Sequence, residues 1–356
     1  MSSQLIAYRI AIDYIRPSNF FAGKSWAGGF FLGGGAGLMK VGTIQFQHRA
    51  GQLDYNYQRL VEFVIEGAKE SCELIVSPEC GLTGYWHLRQ LTEMQLFQLA
   101  TDVVEGGFLE RFGELARRHQ IAIGVGYVEL DKESGRLFNS YQVIGPKGIL
   151  ALHRKLHCFV NQHLCSGDSY TVFKLPNGKR CGILICYDNN LVENVRVTTL
   201  LGAEILLAPH QTGGCDSGSP FAMGKIDPGL WDNRVEAPGL IEAEFAGDKG
   251  RGWLMRWLPA RAHDNGIFIV FSNGVGTDDD EVRTGNAMIL DPYGRVINET
   301  GVAADKLVIG VLDFSLREKS TGARWIRARR PELYGELTRQ RPDVESTRVI
   351  RFEHLD

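Results

Sequence analysis

From Met39 onward the apolar positions switch between a period of two and a period near 3.6, and they do so twice in the same order. Val41, Ile44 and Phe46 belong to a short apolar run that predicts a strand over residues 40–46. Leu60, Phe63, Val64 and Gly67 then share one face of a helix predicted over 54–71, and Leu74-Ile75-Val76, ahead of Ser77-Pro78-Glu79, predicts the next strand. The order returns with a strand over 182–186, a helix over 191–201 and a strand over 204–210, and both third elements end on proline and a polar residue. A helix bearing Phe108, Phe112 and Leu115 leads into a strand over 121–128, as a helix over 253–265 leads into 267–272. Each half closes on a hairpin whose turn is Pro-x-Gly, at Pro146-Lys147-Gly148 and Pro292-Tyr293-Gly294. Strands that alternate with amphipathic helices need cover on both faces. The pattern therefore predicts an α/β fold, a four-layer α-β-β-α sandwich with an internal pseudo-two-fold repeat.

Residues 1–38 carry Phe20-Phe21, Phe30-Phe31 and the run Gly33-Gly34-Gly35-Ala36-Gly37 without a stable period. They read as an N-terminal extension, flexible or a misassigned start, and the absence of a following Gly-Lys-Ser/Thr argues against a phosphate loop. The main domain is expected over 39–314, with a tail over 315–356. At 356 residues, 44% hydrophobic and 23% charged, the chain can bury a large core, and a net charge of −3 argues against nucleic acid as its main partner. No run is long enough for a membrane span and the N-terminus lacks the order of a signal peptide, so a cytoplasmic protein with no membrane partner is expected. The seven cysteines are odd in number and contain no C-x-x-C, which predicts free thiols.

One cysteine stands in a distinctive place. Ile183-Leu184-Ile185 ends on Cys186, just before polar residues that can start a helix, with Asn190 and Glu193 in capping-box spacing. A strand-to-helix corner displays one side chain and offers backbone N–H groups to an oxyanion. Glu79 ends a strand of the first half, and Lys155 follows the hairpin strand Ile149-Leu150-Ala151-Leu152. Clefts form at such carboxyl edges.

Ser77-Pro78-Glu79 with Thr83-Gly84-Tyr85, Asn139-Ser140, His153-Arg154-Lys155-x-His157, Gly182-x-x-Ile185-Cys186-Tyr187-Asp188 and Trp257-Leu258-x-x-Arg261-Ala262-x-Asp264-Asn265 follow one another in this chain. In that order they resemble the nitrilase, or carbon–nitrogen hydrolase, superfamily, from Met39 to about Phe314. Tyr187-Asp188 stands where true nitrilases commonly have Trp-Glu, and is more similar to the amidase and carbamoylase-like branches. The resemblance implies that Cys186 attacks an amide carbonyl and Glu79 moves the protons. It further implies that Lys155 and the Tyr187 N–H hold the oxyanion, and that water hydrolyses the thioester to release ammonia or amine. The expected activity is hydrolysis of a non-peptide C–N bond in a small amide or N-carbamoyl compound. The alternatives are a nitrilase acting on a small nitrile and a catalytically silent, nitrilase-like binding subunit. No cofactor and no metal are implied, and family tails that pack across subunits imply a homodimer or larger homo-oligomer.

The family's usual second glutamate between the lysine and the cysteine is missing. The one acid in that interval, Asp168, lies in Ser166-Gly167-Asp168, which matches the family's Gly-Asp turn; the expected place falls within Asn161-Gln162-His163. Asn161 or Gln162, and His163, are therefore candidates to bind substrate or water, as is His210 at the end of its strand, and loss of a negative neighbour is expected to lower the Lys155 pKa. His153, His157, Cys158, His163 and Cys165 form a rival metal cluster, but their spacings match no familiar zinc module. Residues 211–250, rich in Gly, Asp and Pro, read as a loop narrowing the pocket, with Trp231 and Phe221 as walls. Asp278-Asp279-Asp280-Glu281 reads as a solvated hairpin tip.

Overall fold

Alternation along each central strand sorts the core of this computed structural model, which describes residues 37–352, into layers. The strands are β1 (Leu38–Phe46), β2 (Leu74–Val76), β3 (Ala122–Leu130), β4 (Leu137–Gly145), β5 (Gly148–Arg154), β6 (Leu164–Cys165), β7 (Thr171–Lys174), β8 (Arg180–Ile183), β9 (Ile205–Pro209), β10 (Phe268–Asp278), β11 (Glu281–Thr284), β12 (Met288–Leu290), β13 (Val296–Glu299) and β14 (Lys306–Asp313). On β2, Leu74 and Val76 point into one apolar cluster and Ile75 into another; on β9, Ile205 and Leu207 part from Leu206 and Ala208 in the same way; on β10, Phe268 and Val270 part from Ile269 and Phe271. The first set from each strand meets in a shared cluster, which places the two sheets face to face. Ile75 lies under Leu60, Phe63 and Phe112 of the helices Leu53–Lys69 and Phe108–His119. Leu206 lies under Val195 of Val192–Leu200 and Leu258 and Ala262 of Leu258–Asn265. Helices thus cover the outer sides of the large sheet in this mixed α/β fold, as strands apolar on both faces require.

The repeat extends to the strand order. β1, β2 and β3 pair in parallel, followed by antiparallel β4 and β5, and β8, β9 and β10 pair in parallel, followed by antiparallel β12 and β13. β14 adds antiparallel to β1, as β7 does to β8. The local pattern left one feature hidden: Gln45 and Phe46 of β1 pair in parallel with Asn273 and Gly274 of β10, so the two sheets join at this edge into one continuous path. The expectation for residues 1–36 lies outside the described residues, while Leu38 already belongs to β1, opposite Asp313.

Three expectations are corrected. The helix foreseen over 253–265 is broken into Arg251–Leu254 and Leu258–Asn265, because Pro259 has no N–H for a continuous helix and suits the first turn of a new one. Residues 211–250 are not a plain loop: helices Pro228–Asp232 and Pro238–Ala246 close a small core of Ile226, Trp231, Ile241 and Phe245 against Val275 and Val282. Trp231 is buried in that core and Phe221 is 79% exposed, so neither is placed as a pocket wall. The acidic run is solvated only at its tip: Asp279 and Asp280 are exposed as expected, but Asp278 and Glu281 are buried around Arg283, itself 2% exposed, and a buried guanidinium requires paired carboxylates. Asp278 accepts from Trp86 N and Asp280 from Trp86 Nε1, which ties this hairpin to the turn Trp86–Gln90.

Candidate active site

Glu79, Lys155 and Cys186 each follow the end of a strand, β2, β5 and β8. All three are buried, and Glu79 and Lys155 almost completely so. Glu79 Oε1 accepts from Lys155 Nζ at 2.6 Å and from Asn139 Nδ2 at 2.7 Å. Its other oxygen, Oε2, is buried without a hydrogen-bond partner, and the carboxylate acts on the Cys186 thiol by its charge. Cys80 Sγ donates to Asn139 Oδ1 at 3.4 Å, which leaves the amide nitrogen facing Glu79. The turn carrying Glu79 lies against β3 at Gly126, where a Cβ would stand 2.5 Å from Cys80 N and 2.7 Å from Pro78 O, both backbone atoms. Only glycine fits there.

Cys186 sits in the left-handed region at φ 50°, a conformation that costs a non-glycine residue about 1–3 kcal/mol and persists only where its surroundings enforce it. Asp188 does much of the enforcing. It accepts from Ile185 N at 3.2 Å on the cysteine side and from Leu156 N at 3.1 Å and His157 N at 2.8 Å on the lysine side, which locks the Lys155 strand end to the Cys186 corner. Asn189 Nδ2 donates to Leu184 O at 2.7 Å, and Arg261 donates to Asn189 O and Asn190 O at 3.1 and 2.7 Å. The expected Asn190–Glu193 capping box is therefore replaced: Cys186–Asn189 is a 3₁₀ turn, and the following helix is capped at Leu191 without a side-chain bond. Gln211 adds a second link, its backbone N–H to Cys186 and its Nε2 to Glu79 O at 2.8 Å.

The electrostatics follow from burial and proximity. Burial first, and the Glu79 charge second, push the Cys186 thiol up to about 12, so it is protonated near neutral pH. Burial works against the Lys155 charge, yet Glu79, with Tyr85 and Cys186 behind it, more than offsets that and holds the ammonium well above the usual lysine range. The expected lowering of the Lys155 pKa is not found, because one carboxylate at 2.6 Å suffices. The Lys155 ammonium also lies 5.5 Å from the Tyr85 ring and 5.0 Å from that of Phe159.

A thiol, a carboxyl group with a free oxygen and an ammonium brought to one buried point suit nucleophilic attack on a carbonyl. The carbon–nitrogen hydrolase family model matches residues 40–320. The chain belongs to the carbon–nitrogen hydrolase family. It is 30% identical to an (R)-stereoselective amidase of Pseudomonas sp. over 86% of this chain and 96% of that protein. It is 27% identical to a citrullinase of Francisella tularensis over 85% of this chain and 99% of that protein. A crystal structure of an amidase from Nesterenkonia sp. shares its fold at a TM-score of 0.62 and 19% identity, over 84% of this chain and 96% of that one. The protein is thus a carbon–nitrogen hydrolase of the amidase-like branch.

In this hydrolase the loop after Lys155 does not supply what was expected of it. Asn161 is buried and spent on the backbone, donating to Leu88 O at 2.7 Å and Leu91 O at 2.8 Å while accepting from His163 N at 2.9 Å. Gln162 is exposed, and His163 lies 3.8 Å from Glu93, so neither is placed to bind a substrate at Cys186. The reason is the burial of Phe159 and Val160, which turns the next residues away toward the Trp86–Gln90 turn. His210 is buried next to the corner, its Nε2 3.1 Å from Asn189 Nδ2. Burial, with the Lys155 charge nearby, keeps it neutral, and its ring packs on Phe271 and Trp257, so it supports the corner. Among the described residues no three His, Cys, Asp or Glu side chains are grouped to hold a metal ion. His153 and His157 face different partners, Thr171 and Thr347. All seven cysteines are free.

Sequence reasoning missed Asn139 and Gln211 as supports of Glu79. The signal was a polar side chain inside an apolar strand in the first case, and in the second nothing but its place one residue after His210. A direct check follows from the loop geometry. Gln162→Glu should leave kcat/KM within about twofold of the parent at every pH, whereas Asn161→Ala, which strips two buried carbonyls of their donor, should lower stability by about 1–3 kcal/mol. Steady-state rates across pH and urea unfolding of both variants measure this. A shifted pH profile in Gln162→Glu would put that loop back at the reacting atoms.

Proposed function

We propose that this hydrolase cleaves a small amide or N-carbamoyl compound through a thioester on Cys186, with Glu79 as proton carrier and Lys155 with the Tyr187 N–H as oxyanion donors. The observation that carries the reading is the free Oε2 of a buried carboxylate beside a thiol on a left-handed corner. Glu79 takes the thiol proton as sulfur attacks the carbonyl carbon, and the C–N bond breaks as Glu79 passes that proton to the departing nitrogen. It then removes a proton from the water that hydrolyses the thioester. Lys155 keeps its charge throughout and stabilises the oxyanion. The convergence of all three groups favours an enzyme over a silent binding subunit, and the relatives named amidase and citrullinase favour an amide or carbamoyl group over a nitrile.

Ammonia release from a panel of small amides, carbamoyl compounds and nitriles tests the substrate class. Turnover confined to the first two is expected; turnover of nitriles alone would overturn the choice. Self-association belongs to the same proposal, supported by the exposed Leu333, Leu337 and Val344 of the tail. So does a cytoplasmic location; no described helix is long and apolar enough to cross a membrane.

A further inference from the structure

The helix Thr347–Phe352 spans six residues, too few to hold itself together in water, so its position is set by what it touches. His157 Nδ1 lies 3.3 Å from Thr347 Oγ1, Arg348 Nη1 donates to Phe159 O at 3.0 Å, and Arg351 donates to Asp216 O in the 211–250 segment. The Phe352 ring stacks on Trp86 at 6.4 Å and meets the edge of Phe159 at 6.1 Å. Phe159 borders the reacting groups directly and Trp86 does so through Tyr85. Phe159 packs on Tyr187, next to Cys186, at 5.8 Å and lies 5.0 Å from Lys155 Nζ, and Trp86 stacks on Tyr85, 5.5 Å from the same nitrogen. Phe352 therefore stands one ring away from Lys155 on the side where Tyr85 and Phe159 enclose it.

We propose that Phe352 is a specificity-determining residue, the outer wall of the Tyr85–Phe159 side of the site, which limits the size of the substrate group lying there. A large ring that joins two aromatic side chains from distant parts of the chain excludes bulk in a way that no single loop does. The Arg348 and Arg351 bonds to main-chain carbonyls hold it in register. This deepens the proposed amidase reading and rests on Cys186 as the nucleophile. The expected consequence is that a small amide is accepted and a phenyl-bearing amide is discriminated against.

The test uses the full-length protein with Phe352→Ala and Phe352→Tyr, and reads alkylation of each cysteine by iodoacetamide and by the bulkier N-phenylmaleimide through peptide mapping. In Phe352→Ala the rate at Cys186 with the bulky reagent should rise about tenfold relative to iodoacetamide, the scale of discrimination that one hydrophobic wall provides. Phe352→Tyr should keep the parent ratio. The ratio of kcat/KM for a phenyl-bearing amide to that for its methyl counterpart should move the same way. An unchanged ratio at Cys186 would overturn the proposal. So would an equal gain at Cys181, which lies in the core between the sheets, because that marks general loosening. Alkylation does not depend on turnover, so failure to hydrolyse any amide would count against the amidase reading and leave the wall to be judged by the reagent ratio.

Discussion

Cys186→Ala is expected to reduce turnover by about 10⁴-fold or more, the scale seen when a covalent nucleophile is removed from a preorganised site. The change deletes one sulfur and leaves the Asp188, Asn189 and Arg261 bonds that hold the corner, so the thermal midpoint should move by only a few degrees. The structure supplies its own control. Cys80 is also left-handed, at φ 47°, and follows Glu79 directly, yet its thiol is bound to Asn139 Oδ1 and is packed in the helix-covered core of the first half. Cys80→Ala should cost about 1 kcal/mol for that bond and retain most of the activity. A dead Cys80→Ala beside an active Cys186→Ala would invert the assignment.

Glu79→Gln is expected to reduce kcat/KM by about 10³-fold or more at every pH, because an amide can neither take the thiol proton nor return one to the leaving nitrogen. Raising the pH does not rescue it. Removing the Glu79 charge lowers the thiol pKa from about 12, but burial is the larger cause and remains, so thiolate stays scarce through the working range. Nor would any thiolate formed at high pH protonate the departing amine. The Gln oxygen still accepts from Lys155 and Asn139, so the fold survives, with a loss of about 3–5 kcal/mol because the buried ammonium loses its counter-charge. In the parent, neither Cys186 nor Lys155 changes charge between pH 7 and about 10, since both lie above that window, and kcat/KM should show no thiol-like rise there. Initial rates from pH 5 to 11 measure both statements; recovery of Glu79→Gln at alkaline pH would show that thiol ionisation alone limits the parent.

The fold was legible because its repeat is written in local periods. Leu74-Ile75-Val76 and Ile205-Leu206-Leu207 send alternate side chains to two different cores, and that alternation is visible in the chain. The edge pairing of Gln45 and Phe46 with Asn273 and Gly274 was not, because two segments more than two hundred residues apart share no local period that reports their pairing. Glu79, Lys155 and Cys186 stood out as charged or nucleophilic groups at strand ends. The groups that hold them did not: Asp188 bonds backbone N–H groups at 156 and 157, and Gln211 reaches Glu79, partners set by the fold and not by neighbours in sequence. The same blindness explains Asp278 and Glu281, which read as solvated until Arg283 is found buried between them. It explains Gln162 and His163 as well, whose direction is set by the burial of Phe159 and Val160.

A thioester on Cys186 is accessible to mass spectrometry of the protein quenched in acid during turnover of a small amide. A mass increase equal to the acyl group is expected on the peptide containing Cys186, appearing with ammonia release, decaying as substrate is exhausted and absent from Cys186→Ala. Steady turnover with that peptide unmodified, or an acyl group carried on another residue, would contradict it.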